Sequence, residues 1–160
     1  MTTNEEVVGG DDADYLWRLG KKSSFTVSMK TNGKFLPDAK GYNVIGELKG
    51  SVNADTYITI GGHLDSWDVN EGAHDDGAGV VHTLEVLRTL KALGYQPKHS
   101  IRFVLFANEE NGLRGGTKYA EEAKAKNEKH LFALESDEGG FTPRGFGFTM
   151  NPTQLKKVQS

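Results

Sequence analysis

The sequence contains no cysteine, which excludes disulfide bonds and thiolate ligands for a metal. It has no apolar run of about 18 residues, so no membrane-spanning helix is predicted. Its first residues lack the basic and apolar regions of a secretory signal peptide. Neither sign of charge dominates: the net charge is -3, and Lys and Arg are scattered along the chain. Neither nucleic acid nor a membrane is therefore an expected partner.

Glycine, by contrast, is abundant, at 20 of the 160 residues. Apart from this, a chain that is 36% apolar and 26% charged has the composition and length of one globular domain. Eight glycines flank segments that carry histidine or acidic residues: Gly61, Gly62, Gly72, Gly77, Gly79, Gly112, Gly115 and Gly116. Glycine permits tight turns and close backbone approaches, so these segments are expected to form loops around a site.

Strand patterns alternate with helix patterns along most of the chain. Continuous β-rich runs at Thr56–Ile60 and Ser100–Ala107 are typical of strands buried on both faces. Apolar residues at helical spacing predict a helix over Gly77–Leu93, with Gly94 in the C-terminal cap position. Further helices are predicted from residue 115 or 117 to 126 and from Asn151-Pro152 onward, and further strands at 131–134 and 146–150. This order predicts an α/β fold with a mostly parallel sheet.

The N-terminal part predicts a different arrangement. A short helix is expected to end at Leu19, followed by an alternating strand at 25–29 and a strand at 43–48. These two strands are expected to form an antiparallel edge of the sheet. The predicted fold class is thus a three-layer α/β sandwich with a mixed central sheet.

Histidine and acidic residues follow the carboxyl end of each predicted parallel strand or precede the first long helix. In chain order they are His63, Asp65, Asp75, Asp76, Glu109, Glu110 and Asp137. The carboxyl ends of parallel strands share one edge of an α/β sheet, where ligands bind, so these residues are expected to converge. Imidazole and carboxylate are the zinc ligands that remain when no thiolate is available. The pattern therefore predicts a divalent metal site.

Suitable metal ligands are His63, Asp75, Glu110 and Asp137. Two further acids are predicted to be catalytic. Glu109 adjoins a ligand and is the candidate general base. Asp65 is placed to accept the second imidazole N–H of His63 and to orient the ring. Asp75 is the candidate to bridge two ions roughly 3.5–4 Å apart.

Four blocks, GGHLDSWD, DDGAG, NEENGLRGG and ESDEGG, resemble the di-zinc exopeptidase family of bacterial leucyl aminopeptidases and plasma glutamate carboxypeptidase. The resemblance runs from about residue 11 to the end of the chain. It implies that His63 and Asp137 bind one zinc ion, that Asp75 bridges, that Glu110 binds the second ion, and that Glu109 is the base. Family members complete the second site with a downstream His, and this sequence has none after His130.

The resemblance implies a zinc exopeptidase acting on short peptides or dipeptides. It also implies that residues 1–160 are one partial catalytic domain, without its C-terminal portion. The parent protein is expected to be secreted or periplasmic, with a homodimer as its candidate assembly. Because a ligand is missing, the resemblance leaves the activity of the fragment itself open.

Several alternatives stay open. Asp75 and Asp76 could cap a helix, although a cap requires only one of them. His63 and Asp65 could be a hydrogen-bonded loop pair. Glu109 and Glu110 could lie in a solvated turn, and Asp137 could be an acid of a surface loop. Related zinc amide chemistry, such as glutaminyl cyclisation or deacylation, and a non-catalytic binding domain are the alternative functions. Of the other histidines, His74 is expected to line the site at most, and those at positions 82, 99 and 130 to be structural or solvated.

Overall fold

The computed structural model describes residues 36–137 and 139–158, together with residues 18, 21, 30 and 32–34. The chain divides into two compact units, residues 1–38 and 39–160, and the second unit is described below. Apart from the helical Arg18, the predicted N-terminal helix lies outside the described residues, as does the predicted strand at 25–29. The assignment of residues 1–160 to one partial domain stays a prediction.

The second unit alternates strands and helices. Its elements are β1 (Val44–Leu48), β2 (Asn53–His63), α1 (Gly77–Ala92), β3 (His99–Phe106), α2 (Arg114–Ala125), β4 (Lys129–Glu135) and α3 (Pro152–Val158). The strands form one sheet in the order β1-β3-β2-β4. Strand β2 runs parallel to β3 and β4, whereas β1 runs antiparallel to β3 at the edge. The predicted α/β class and mixed sheet are confirmed. Of the two strands predicted for the antiparallel edge, the one at 43–48 is observed there as β1.

One predicted strand is wrong. Residues 146–150 form no strand, and they lie in an irregular segment before α3. Phe146 and Phe148 alternate with other residues as in a strand, but those residues are glycines, Gly145 before them and Gly147 between them. Glycine has a high entropy cost of ordering and no side chain to pack, so alternation alone does not make this segment extended and paired.

Helices cover both faces of the sheet. On one face, Leu87 of α1 lies against Gly46, which pairs with Phe103. On the other face, Tyr119 of α2 meets the Phe106 ring edge-on at 5.8 Å. Strand β3 lies between these layers, and its Phe103 is only 2% exposed. The buried apolar core is therefore centred on β3.

Helix α1 begins and ends as its sequence predicts. The Asp76 carboxylate accepts a hydrogen bond from the backbone N–H of Gly79 and so caps the first turn. At the other end, Gly94 has φ of +62° and donates its N–H to the Lys91 carbonyl. Both ends of the helix are thus capped by hydrogen bonds, and its N-terminus has a defined place on the sheet.

A charged pair lies in the α2-facing layer. Arg102 donates from both terminal nitrogens to Glu128, at 2.6 and 3.1 Å, and from Nε to Glu47 at 3.0 Å. Its guanidinium also lies 3.8 Å from the centre of the Tyr57 ring. Side chains of Arg102 and Glu128 are only 15% and 14% exposed. These hydrogen bonds lower the pKa of Glu128 and raise that of Arg102.

We expect Glu128→Gln to lower the free energy of unfolding by roughly 1–3 kcal/mol at pH 7, since a charge-assisted bidentate pair is lost. The pKa of Glu128 is lower in the folded protein than its unfolded value of about 4.3. The contribution of the pair is therefore complete above that value and is lost as the pH falls through the folded pKa. Urea unfolding of both proteins between pH 7 and pH 3 measures this difference.

The matched control is Glu85→Gln, because Glu85 pairs with Arg88 on the exposed surface of α1. An exposed pair of this kind is screened by solvent, so Glu85→Gln should change the free energy of unfolding much less than Glu128→Gln. Equal effects of the two substitutions, or a Glu128 effect that does not shrink in acid, would contradict the interpretation.

Candidate metal centre

Three elements bring their polar residues to the carboxyl edge of the sheet. His63 is the last residue of β2, Asp137 follows β4, and Asp75 precedes α1. One ligand atom of each of these residues lies within 4.8 Å of the others. An imidazole nitrogen and two carboxylate oxygens form a donor set that zinc accepts. Of the metal ligands predicted from the sequence, the structure thus brings three into one group.

A hydrogen bond at Nδ1 orients the imidazole ring of His63. The side chain is 1% exposed, and its Nδ1 lies 2.8 Å from the backbone carbonyl of Asp65. A carbonyl only accepts, so Nδ1 carries the hydrogen, and in the neutral ring Nε2 keeps a free lone pair. Nε2 lies 3.1 Å from Asp75 Oδ1, 3.6 Å from Asp137 Oδ1 and 3.9 Å from Glu109 Oε2. The free nitrogen therefore faces the acids.

The role predicted for the Asp65 side chain needs correction. Its carboxylate lies 3.8 Å from His63 Nδ1, and the backbone carbonyl takes the hydrogen bond instead. The carboxylate accepts from the backbone N–H groups of Glu109 at 2.9 Å and Glu110 at 3.2 Å. At a spacing of two residues the backbone carbonyl of Asp65 reaches the imidazole of His63. The Asp65 side chain instead holds the turn after β3. Asp65 thus positions two other predicted site residues.

The adjacent acids Asp75 and Asp76 have separate surroundings. Asp76 is 1% exposed and accepts from the backbone N–H groups of His63 at 2.8 Å and Gly79 at 2.9 Å. Burial raises its pKa, although these two hydrogen bonds oppose the shift. The Asp75 side chain is 41% exposed and faces the ring of His63. The cap and the candidate ligand are therefore different residues.

Close backbone contact makes this arrangement possible. A Cβ built on Gly62 would lie 2.7 Å from Asp76 Oδ2 and 2.8 Å from the Gly79 carbonyl carbon. Real Cβ atoms do not approach other atoms so closely, so no larger residue fits at position 62 without movement. This glycine lets the N-terminus of α1 lie directly against the end of β2.

Glu109 and Glu110 follow β3 in the turn that Asp65 holds. Burial raises the pKa of Glu109, and the nearby charges of Asp137 and Glu110 add to this shift against the opposing effect of His63. Glu110 Oε1 is buried and has no hydrogen-bond partner among the described residues. Glu110 lies outside the three-residue group, so the second metal position predicted from the sequence stays a prediction.

The surrounding acids also affect His63. Burial by itself lowers the pKa of this imidazole. The hydrogen bond to the Asp65 carbonyl and the charges of Asp76, Asp137 and Glu109 outweigh burial, so the pKa is raised. The ring thus lies in a strongly negative environment, which also suits a bound cation.

Sequence reasoning missed Asn43. Its side-chain oxygen accepts from the backbone N–H of Ala107 at 2.9 Å, and its amide donates to the carbonyl of Gly115 at 2.8 Å. These bonds hold both ends of the loop that carries Glu109. The only local signal was an Asn directly before a strand, which is equally common in turns.

Comparison with known proteins gives three concordant results. The model of peptidase family M28 matches residues 43–160. The sequence is 38% identical to carboxypeptidase Q of Bos taurus over 140 residues, and 36% identical to that of Homo sapiens over the same length. Each alignment covers 87% of this chain and 30% of the relative. The chain thus spans about a third of the length of these curated relatives.

Two solved structures are also similar. A peptidase M28 precursor from Shewanella amazonensis is 52% identical with a TM-score of 0.58, and the match covers 61% of this chain and 22% of that one. LapB from Legionella pneumophila is 27% identical with a TM-score of 0.54, covering 60% of this chain and 26% of that one. Both matches agree with the α/β fold described above.

The separate surroundings of the adjacent acids predict that their substitution has different effects on stability without metal. Asp76→Ala removes a helix cap and leaves a buried N–H of His63 unpaired, so we expect a loss of roughly 2–4 kcal/mol. Asp75→Asn removes one of several crowded negative charges and is expected to leave stability unchanged or slightly higher. Urea unfolding in EDTA measures both. Similar losses in the two variants would contradict the division of roles.

Proposed function

Because this chain belongs to peptidase family M28, we propose that it carries the metal-binding part of a zinc-dependent exopeptidase that cleaves short peptides or dipeptides. The observation that carries the proposal is the grouping of His63, Asp75 and Asp137 within 4.8 Å at the carboxyl edge of the sheet. Catalytic zinc sites commonly have three protein ligands of these types and one open position. The exopeptidase activity also accords with the carboxypeptidase Q relatives.

His63 Nε2 and the carboxylates of Asp75 and Asp137 would hold the first zinc ion. Asp75 would bridge to a second ion, for which Glu110 offers a buried oxygen without a hydrogen-bond partner among the described residues. Zinc in such a site supplies polarisation of the scissile carbonyl and a lowered pKa, about 7, for its water. The donor types present fit this ion.

Glu109 is proposed as the general base. It lies outside the group of three ligands, yet its Oε2 is 3.9 Å from His63 Nε2. The Asp65 carboxylate holds the backbone of Glu109, so the side chain starts from a defined position. From there it would accept a proton from the attacking water and deliver that proton to the leaving amine.

The remaining properties are proposals as well. A peptide is the proposed substrate, and nucleic acid and membranes are not proposed as partners. We propose a homodimer and a secreted or periplasmic location on the family resemblance alone. Among the described residues, no helix is long and apolar enough to cross a membrane.

We expect zinc to raise the melting temperature of the protein relative to EDTA. Binding to the folded state alone stabilises it by about 2.7 kcal/mol at a free ion concentration 100 times the dissociation constant. Asp75→Asn should lose most of this shift, since it removes a ligand. Differential scanning fluorimetry with and without zinc measures it.

Asp68→Asn is the matched control, because Asp68 is an exposed acid of the same loop and bonds only locally to the N–H of Val69. It should keep the full zinc shift. A zinc shift in neither wild type nor Asp75→Asn, or an equal shift in both, would remove the basis of the proposed metal site.

Glu109→Gln separates metal binding from proton transfer. We expect the zinc shift to persist while kcat for dipeptide hydrolysis falls about 10²- to 10⁴-fold, the usual contribution of a general base. Amino acid release from dipeptides by the zinc-loaded protein gives kcat, with the exposed Glu71→Gln as control. Loss of zinc binding in Glu109→Gln would make Glu109 a ligand instead. Bound zinc together with cleavage of acyl-amide substrates but not of dipeptides would favour the alternative amide chemistry.

A further inference from the structure

Strand β4 has weaker lateral support than the other strands that carry site residues. Among the described strands it lies at the edge and pairs with β2 alone, whereas β2 lies between β3 and β4. Its Phe132 and Leu134 are 45% and 37% exposed. The segment after β4 carries Asp137, so contacts beyond the sheet are needed to hold this ligand in place.

A hydrogen bond from α1 supplies one such contact. His82 Nδ1 lies 2.8 Å from the hydroxyl oxygen of Ser136, the residue directly before Asp137. The backbone N–H of Ser136 also donates to the carbonyl of Gly61 on β2 at 3.1 Å. Ser136 is thus bound on one side to the sheet and on the other to the helix.

The backbone of α1 touches the same residue. A Cβ built on Gly79 would overlap the carbonyl oxygen of Ser136 and the carboxylate of Asp76. The first turn of α1 therefore lies directly against the segment. Since Asp76 fixes that turn to His63, His82 projects from an element that is already tied to the other ligands.

A second contact lies just beyond Asp137. The ring of His74 packs against Gly139, where an added Cβ would overlap the ring, and lies 5.4 Å from the Phe141 ring. His74 directly precedes Asp75. Two histidines that were not predicted to be ligands thus contact the chain just before and just after Asp137.

We propose that His82 is a positioning residue for the metal centre. Through Ser136 it holds Asp137 at the distance from His63 and Asp75 that ion binding requires. The proposal rests on the proposed function, since it takes the group of three as the ion's ligands. Residues that orient metal ligands commonly affect affinity without touching the ion.

The test is isothermal titration calorimetry of the protein with zinc chloride alone. We expect His82→Ala and Ser136→Ala each to weaken zinc binding about 3- to 10-fold, the effect of one net hydrogen bond. The double variant should bind no more weakly than either single variant, because both remove the same bond. His82→Asn, which keeps a polar atom near the Nδ1 position, should restore most of the affinity.

Arg88→Ala is the matched control. It removes an exposed side chain of the same helix that donates hydrogen bonds to Glu85, on α1 itself, and not to the Asp137 segment. Its zinc affinity should equal that of wild type. Urea unfolding in EDTA checks that the His82 and Ser136 variants remain folded, so that a change in affinity is not a loss of structure.

Different results overturn different claims. Wild-type affinity in His82→Ala, when Asp75→Asn abolishes binding, overturns the role of His82 and leaves the metal site standing. A loss in His82→Ala that neither Ser136→Ala reproduces nor His82→Asn rescues would show that His82 does not act through Ser136, and would also overturn the proposal. If the wild-type protein binds no zinc, the proposed function is contradicted, and so is the role of His82 that rests on it.

Discussion

The buried carboxylate of Asp76 is the interaction on which the site depends. It joins the backbone N–H of His63 at the end of β2 to the N–H of Gly79 in the first turn of α1. A buried acid is costly unless its oxygens are hydrogen-bonded, so both bonds are needed for it to remain there. Gly62 and Gly79 allow the approach, because a Cβ on either would overlap Asp76. Sheet and helix are thus joined where the ligands converge.

The acids of the site divide into two kinds. Asp76 and Asp65 use their oxygens on backbone N–H groups, which fixes the loops that carry their neighbours. Asp75, Glu109 and Asp137 instead direct carboxylates toward the imidazole of His63. Grouping several like charges is unfavourable without a cation. Burial raises the pKa of Glu109, and the charges of Asp137 and Glu110 add to that shift. By fixing these loops, Asp76 and Asp65 keep the carboxylates that face the ring close together.

Much of the fold follows from local pattern. The helix over Gly77–Ala92 and the strands β2 and β3 were predictable, since their periodicity and end residues agree. The predicted strand at 146–150 failed, because alternating Phe and Gly imitate a strand pattern without the side chains to pack. The role of Asp65 was predicted at the right residue but for the wrong atoms, since spacing does not tell a backbone carbonyl from a carboxylate.

The sequence by itself determined the α/β class, the family blocks and the residue types available to a metal, because these depend on periodicity and composition. Tertiary structure alone decided which acids face His63 and which hold the backbone. It also decided that Asn43 and His82 contact loops 64 and 54 residues away in the chain. Such contacts depend on the relative placement of strands and helices, which no local pattern encodes. The segment from Tyr57 to Gly79 therefore supplies His63 and Asp75, whereas the fold brings Asp137 to them.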